Sequence, residues 1–167
     1  MEAEPILGVF AQLAVFIVGL SGIVGVVGSR ITGNWQIADY TRFWTMIASG
    51  FLLLFQALFP ILLHYFSLTP QAVWSWSSAA AALLVCGQLY WRLAHLRRIH
   101  ADPEFNAFLF WWSAALQIIA AIVLILNTAG LGFKGTFAPY LLAMFLTLAV
   151  SCQVFVRLLV VALPRKS

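Results

Sequence analysis

The sequence predicts an all-α fold, an integral membrane bundle of five transmembrane helices. Three observations carry that expectation. The 167 residues are 63% hydrophobic and only 8% charged, with a mean hydropathy of +1.00. A soluble domain carries about 25% charged residues, and nine Lys/Arg with five Asp/Glu cannot form its polar shell. The charges also gather at intervals, separated by charge-free runs at 5–29, 43–91, 105–133 and 135–156. Finally, the basic residues fall on alternate connections. High apolar content excludes disorder, and two cysteines, Cys86 and Cys152, exclude a small disulfide scaffold.

Each helix follows from the spacing. Roughly 20 apolar residues cross the hydrocarbon, so the three shorter runs each hold one span. The run 43–91 holds two if the chain turns in its middle. Ser67-Leu68-Thr69-Pro70-Gln71 supplies that turn, with Thr69 as N-cap and Pro70 in the first helical turn. The expected spans are 6–28, 43–66, 71–93, 104–127 and 138–161, forming one domain over 1–167. Pro5, Pro70, Pro103 and Pro139 each open a span, where a missing N–H costs nothing. Asp102-Pro103-Glu104 reads as a capping acid, a proline and a dipole-matched acid; Asp39 or Thr41 caps the second span. An acidic N-terminus followed by a long apolar run predicts a retained first span, with no cleaved signal peptide.

Alternating the spans places Arg30, Arg42, Arg92, Arg97, Arg98, Arg157, Arg165 and Lys166 on one side and Lys134 alone on the other. The positive-inside rule then predicts the N-terminus outside and the C-terminus in the cytoplasm. Arg92 and Arg157 are expected to snorkel to the inner interface, with Arg92, Arg97 and Arg98 touching anionic lipid headgroups. Tyr65, Trp74, Trp76 and Tyr140 mark the outer interface. Tyr40, Trp44, Tyr90, Trp91, Trp111 and Trp112 mark the inner one.

Within the spans, Gly19, Ser21, Gly22, Gly25, Gly28 and Ser29 give the first helix a small-residue packing face. Small residues from Ser77 to Ala82, and Ser113, Ala114, Ala115, Ala120 and Ala121, offer counterparts on the third and fourth. Pro60 removes the hydrogen bond to the carbonyl of Gln56, so a polar side chain and a freed acceptor fall together inside the bilayer. With Gln88, Gln117 and Gln153 they form a candidate polar intramembrane site. Such groups ordinarily hydrogen-bond across helices; a polar cavity is the alternative. Cys86 and Cys152 read as small core residues.

The sequence offers no catalytic constellation. Gly19-Leu20-Ser21-Gly22 has the form found around the nucleophile of rhomboid-type proteases, but Ser21 lies ~22 Å below the face that holds His64, out of reach of a base. The histidines sit at unsuitable depths for haem, and the acids on the basic side read as caps rather than metal ligands. No span holds an acid or lysine near its centre, as ion-coupled transport normally needs. Gly130-Leu131-Gly132-Phe133-Lys134-Gly135 lacks phosphate-loop spacing and reads as a turn. No catalytic residue, cofactor, metal or nucleic acid is expected.

The second span opens with Asp39-Tyr40-Thr41-Arg42-Phe43 and ends in Leu58-Phe59-Pro60-Ile61-Leu62-Leu63. A tryptophan-bearing third span ends in arginines, and the fifth closes with Gln153-Val154-Phe155-Val156-Arg157-Leu158-Leu159. Over most of its length the chain resembles small uncharacterised bacterial multi-pass inner-membrane proteins. That resemblance implies a bacterial inner membrane and no particular activity. The leading expectation is a non-enzymatic membrane protein acting by packing, as a homo-oligomer or a partner subunit among membrane lipids. The alternative is a small permease or channel for a neutral or lipidic solute beside the proline of the second span.

Overall fold

The computed structural model describes residues 3–32, 37–96, 105–133 and 135–162, with side-chain surroundings for 3–23, 40–96, 105–133 and 135–157. Five helices account for nearly all of it: α1 Glu4–Thr32, α2 Ile37–Tyr65, α3 Pro70–Ala94, α4 Ala107–Thr128 and α5 Phe137–Ala162. No strand occurs among the described residues. All five are long and apolar enough to cross a membrane. The bundle surface agrees, because each helix exposes large apolar side chains, among them Phe16, Phe51, Leu83, Ile122 and Phe145. Apolar surface on every side is a lipid-facing exterior rather than a water-facing one. The five apolar helices are thus compatible with a multi-pass membrane protein.

The helix starts follow local capping rules, at α4 from a different residue than the sequence predicts. Thr69 caps α3 as expected, its hydroxyl accepting from the Ala72 N–H at 3.4 Å with Pro70 in the first turn. The cap of α4 is Asn106 instead of Asp102: its Oδ1 accepts from the Leu109 N–H at 3.1 Å, so the helix begins at Ala107. An extended Asn one turn before the apolar run satisfies an orphan N–H that an acid further upstream cannot reach. Asp102, Pro103 and Glu104 lie outside the described residues. In α2 the helix already begins at Ile37, which puts Asp39 and Thr41 inside its first turns rather than at its cap.

α2 and α5 form the centre. α1 packs on both of them, and α3 and α4 pack on each other and on α2 and α5 respectively. The α3 and α4 helices pack on each other, and each buries small residues at helical spacing: Ser77, Ser78, Ala81 and Ala82 on α3, and Ser113, Ala114, Ala120 and Ala121 on α4. Short side chains let the backbones approach, and packing of this kind is what holds helices together in lipid. α1 joins differently, through Leu7, Phe10, Ala14 and Ile17. It lies close against α2 at Gly50, where an added Cβ would lie 2.7 Å from Val18 Cγ2.

Two aromatic residues expected at the outer interface are internal. Trp74 and Tyr140 are buried, with ring centroids 5.6 Å apart, whereas Tyr65 and Trp76 are exposed there. Tyr40, Trp44, Tyr90, Trp111 and Trp112 are exposed near the other end. Cys86 and Cys152 are also corrected: both thiols are free and on the exposed surface, not in the core. A small, weakly polar side chain faces lipid at little cost.

Candidate functional site

The polar side chains inside the bundle divide into two groups, one toward each end. The first lies where α2 and α4 begin and α3 and α5 end. Its centre is Arg92, which is only 4% exposed. One guanidinium nitrogen donates to Gln117 Oε1 at 2.7 Å and another to Ser113 Oγ at 2.5 Å, both on α4. The Ser113 hydroxyl in turn donates to the Phe110 carbonyl at 2.9 Å, and the Arg92 guanidinium lies 5.0 Å from the centroid of the Phe110 ring. Snorkelling was the sequence expectation for Arg92. The structure instead turns the side chain inward, because Ser113 and Gln117, four apart on the facing helix, offer two acceptors that lipid lacks.

Beside Arg92 is a small cavity of about 50 Å³, whose lining includes Thr45, Phe105, Leu109, Gln153 and two further arginines, Arg42 and Arg157. These two take part in interactions of their own. Gln153 Nε2 donates to the Leu109 carbonyl at 2.9 Å, tying α5 to α4, while its Oε1 is buried without a donor. Gln88 ties α3 to α2 in the same layer, donating to Ser49 Oγ at 2.7 Å and to the Thr45 carbonyl at 3.3 Å.

The second group lies toward the opposite end. Asn127 is fully buried and uses both ends of its amide: Nδ2 donates to Ser78 Oγ at 2.8 Å and to the Thr136 carbonyl at 3.0 Å, and Oδ1 accepts from the Thr136 N–H at 3.0 Å. The turn it anchors needs glycine. Gly135 has φ +64°, and a Cβ there would lie 2.6 Å from Ser75 Oγ and 3.0 Å from the Gln71 carbonyl. Deeper in the bundle, the carbonyl that Pro60 frees finds a partner: the Tyr140 hydroxyl donates to Gln56 O at 2.8 Å. The Gln56 side chain is fully buried beside it, and neither of its polar atoms has a partner.

The five residues of the expected polar site therefore separate. Gln88, Gln117 and Gln153 join the arginine group. Gln56 and Pro60 stand apart: Gln56 lies eleven residues beyond Thr45 on α2, or ~16 Å along the axis. Of the packing face on α1, Ser21 is buried, its hydroxyl donating to the Val18 carbonyl at 2.5 Å. Gly19 and Gly22 face open space. The surroundings of Gly25, Gly28 and Ser29 lie outside the described residues, as do Arg97 and Arg98. Sequence reading passed over Asn127, Ser78, Thr136 and the role of Tyr140, and it did not bring Arg42 and Arg157 to one place. The available signal was Ser113 and Gln117, a polar pair at helical spacing opposite the arginine-bearing end of α3. Among the described residues, no three of His, Cys, Asp or Glu come together. Comparison with protein-family models, with curated proteins and with solved structures finds no match to this chain.

Proposed function

We propose that this chain is a non-enzymatic, five-span protein of a bacterial inner membrane, with its N-terminus outside and its C-terminus in the cytoplasm, acting as a packing subunit with a second copy of itself. The observation that carries this reading is a division of labour among its residues. Several polar side chains within α2–α5 reach across to a neighbouring helix, which ties those four together. Three glycines of α1 are by contrast unused within the chain, since nothing lies within 4 Å of a Cβ placed on Gly8, Gly19 or Gly22. Close backbone approach by such faces drives helix association in lipid. Native mass spectrometry of protein extracted in a gentle detergent tests this. A dimer or larger assembly is expected, and Gly22→Leu is expected to reduce it to monomer while leaving the folded chain intact. Monomer alone from wild-type protein, with no species trapped by cross-linking in membranes, overturns it.

A second reading, a passage for a small neutral solute, is favoured by the unpartnered amide of Gln56 beside Pro60. It predicts solute flux into proteoliposomes that Gln56→Leu abolishes. Equal flux with and without the protein removes this reading.

A further inference from the structure

A buried amide is stable only if its atoms find partners, because the interior of a bundle offers no bulk water to supply them. Among the described residues, five buried side-chain atoms have no hydrogen-bond partner: Gln56 Nε2 and Oε1, Ser77 Oγ, Gln88 Oε1 and Gln153 Oε1. The last two belong to amides whose nitrogens already donate across to a neighbouring helix. Gln56 and Ser77 differ from them. Both residues are fully buried, and neither side chain makes any hydrogen bond within the protein.

The packing of α2 on α3 brings these two residues to one level. The helices are consecutive, run antiparallel and are joined by the short segment 66–69. Gln88 on α3 fixes their register, donating to Ser49 Oγ at 2.7 Å and to the Thr45 carbonyl at 3.3 Å on α2. Eleven residues make close to three helical turns. Eleven residues on from Thr45 is Gln56, and eleven residues back from Gln88 is Ser77. Gln56 thus stands on the line of α2 that meets α3, and Ser77 on the line of α3 that meets α2. An independent contact agrees with that register. The Tyr140 hydroxyl that donates to Gln56 O at 2.8 Å belongs to a ring 5.6 Å from that of Trp74, one turn from Ser77.

We infer that Gln56 and Ser77 hold a water molecule between α2 and α3. The three atoms are an amide donor, an amide acceptor and a hydroxyl that can act as either. A buried water typically makes about three hydrogen bonds to polar groups that are otherwise unsatisfied, and three such atoms meet at this level. A direct bond from the Ser77 hydroxyl to Gln56 Oε1 would still leave Nε2 without an acceptor. Val73, Ala57 and Ala81 are fully buried around this level, so close packing restricts the guest to a small molecule. Leu53 and Val85 are buried between it and the level of Gln88, so the water is held rather than passed along the seam. The inference rests on neither the self-association nor the solute passage proposed above: it answers the Gln56 amide without requiring anything to cross.

The test uses full-length protein in detergent micelles, with its glutamine and asparagine side chains labelled with nitrogen-15, and water-selective NMR that separates dipolar transfer from proton exchange. Loss of one amide pair in Gln56→Met assigns the Gln56 side chain. In wild-type protein that pair is expected to show a dipolar cross-peak with water. The Asn127 amide, equally buried but fully engaged by protein atoms, is expected to show none. Gln56→Met is also expected to abolish the water cross-peak of the Ser77 Hβ protons; if that variant fails to fold, Ser77→Ala carries the same reading through loss of intensity at the Gln56 amide. A Gln56 amide as free of water contact as that of Asn127 overturns the inference. So does a Ser77 water cross-peak that persists in folded Gln56→Met, or a Gln56 cross-peak unchanged in Ser77→Ala.

Discussion

The two ends of the bundle solve the same problem in opposite ways. Each must place polar groups where lipid offers no partner. At one end, the Asn127 amide donates twice and accepts once, and the three bonds close a ring of α3, α4 and the turn before α5. Nothing charged is involved, and both ends of the Asn127 amide are used. At the other end Arg92 joins α3 to α4 just as firmly, yet its charge has no opposite among the described residues, and a cavity opens beside it. The neutral network uses both ends of its amide; the cationic one engages two of five guanidinium N–H groups. The difference teaches where to look for interaction in a chain with so few charges.

The comparison predicts unequal responses to substitution, beginning with the largest. Asn127→Ala removes three bonds at once and strands the Thr136 N–H, with an expected cost of about 2–3 kcal/mol in unfolding measured in detergent. Gly135→Ala attacks the same closed end through the backbone: it strains a positive φ and drives a Cβ toward the Gln71 carbonyl, at a cost of about 2 kcal/mol. Either variant retaining wild-type stability would break the idea that this end is a locked network.

Tyr140→Phe is expected to cost about 1 kcal/mol, because it leaves the proline-freed Gln56 carbonyl without a donor. The cost should largely vanish in a Pro60→Ala background, where the residue 60 N–H returns to that carbonyl. Equal losses in both backgrounds would show that the hydroxyl is not answering the proline. The smallest effect is expected at the open end: Arg92→Met in zwitterionic surroundings should change stability by less than about 1 kcal/mol, since the desolvation of an uncompensated cation disappears along with its bonds. A loss as large as that of Asn127→Ala would erase the contrast between the ends.

Much of this fold was legible because charge is so costly in hydrocarbon that its positions delimit the helices. The five observed helices overlie the expected spans, and Thr69-Pro70 marks the start of α3 by a purely local rule. The consequence of Pro60 was also legible, since a proline always frees the carbonyl four residues back. Its partner was not: Tyr140 is 84 residues away, and an aromatic near a span end reads equally well as an interface anchor. Arg92 was misjudged for a related reason. Position along a helix says how deep a side chain starts, while the facing residues on α4 decide which way it points. Cys86 and Cys152 were placed inward on size alone, although a thiol is nearly indifferent between core and lipid. Convergence of Arg42, Arg92 and Arg157 is a tertiary fact, invisible until three helices are set side by side.

Under the proposed topology an odd number of crossings sets the chain ends on opposite faces, with the arginines at the inner one. Paired reporter fusions in a bacterial host measure this directly, with alkaline phosphatase and a green fluorescent protein attached in turn to each terminus. Phosphatase activity at the N-terminus and fluorescence at the C-terminus is the result predicted here. Both termini reporting from the same compartment would contradict it.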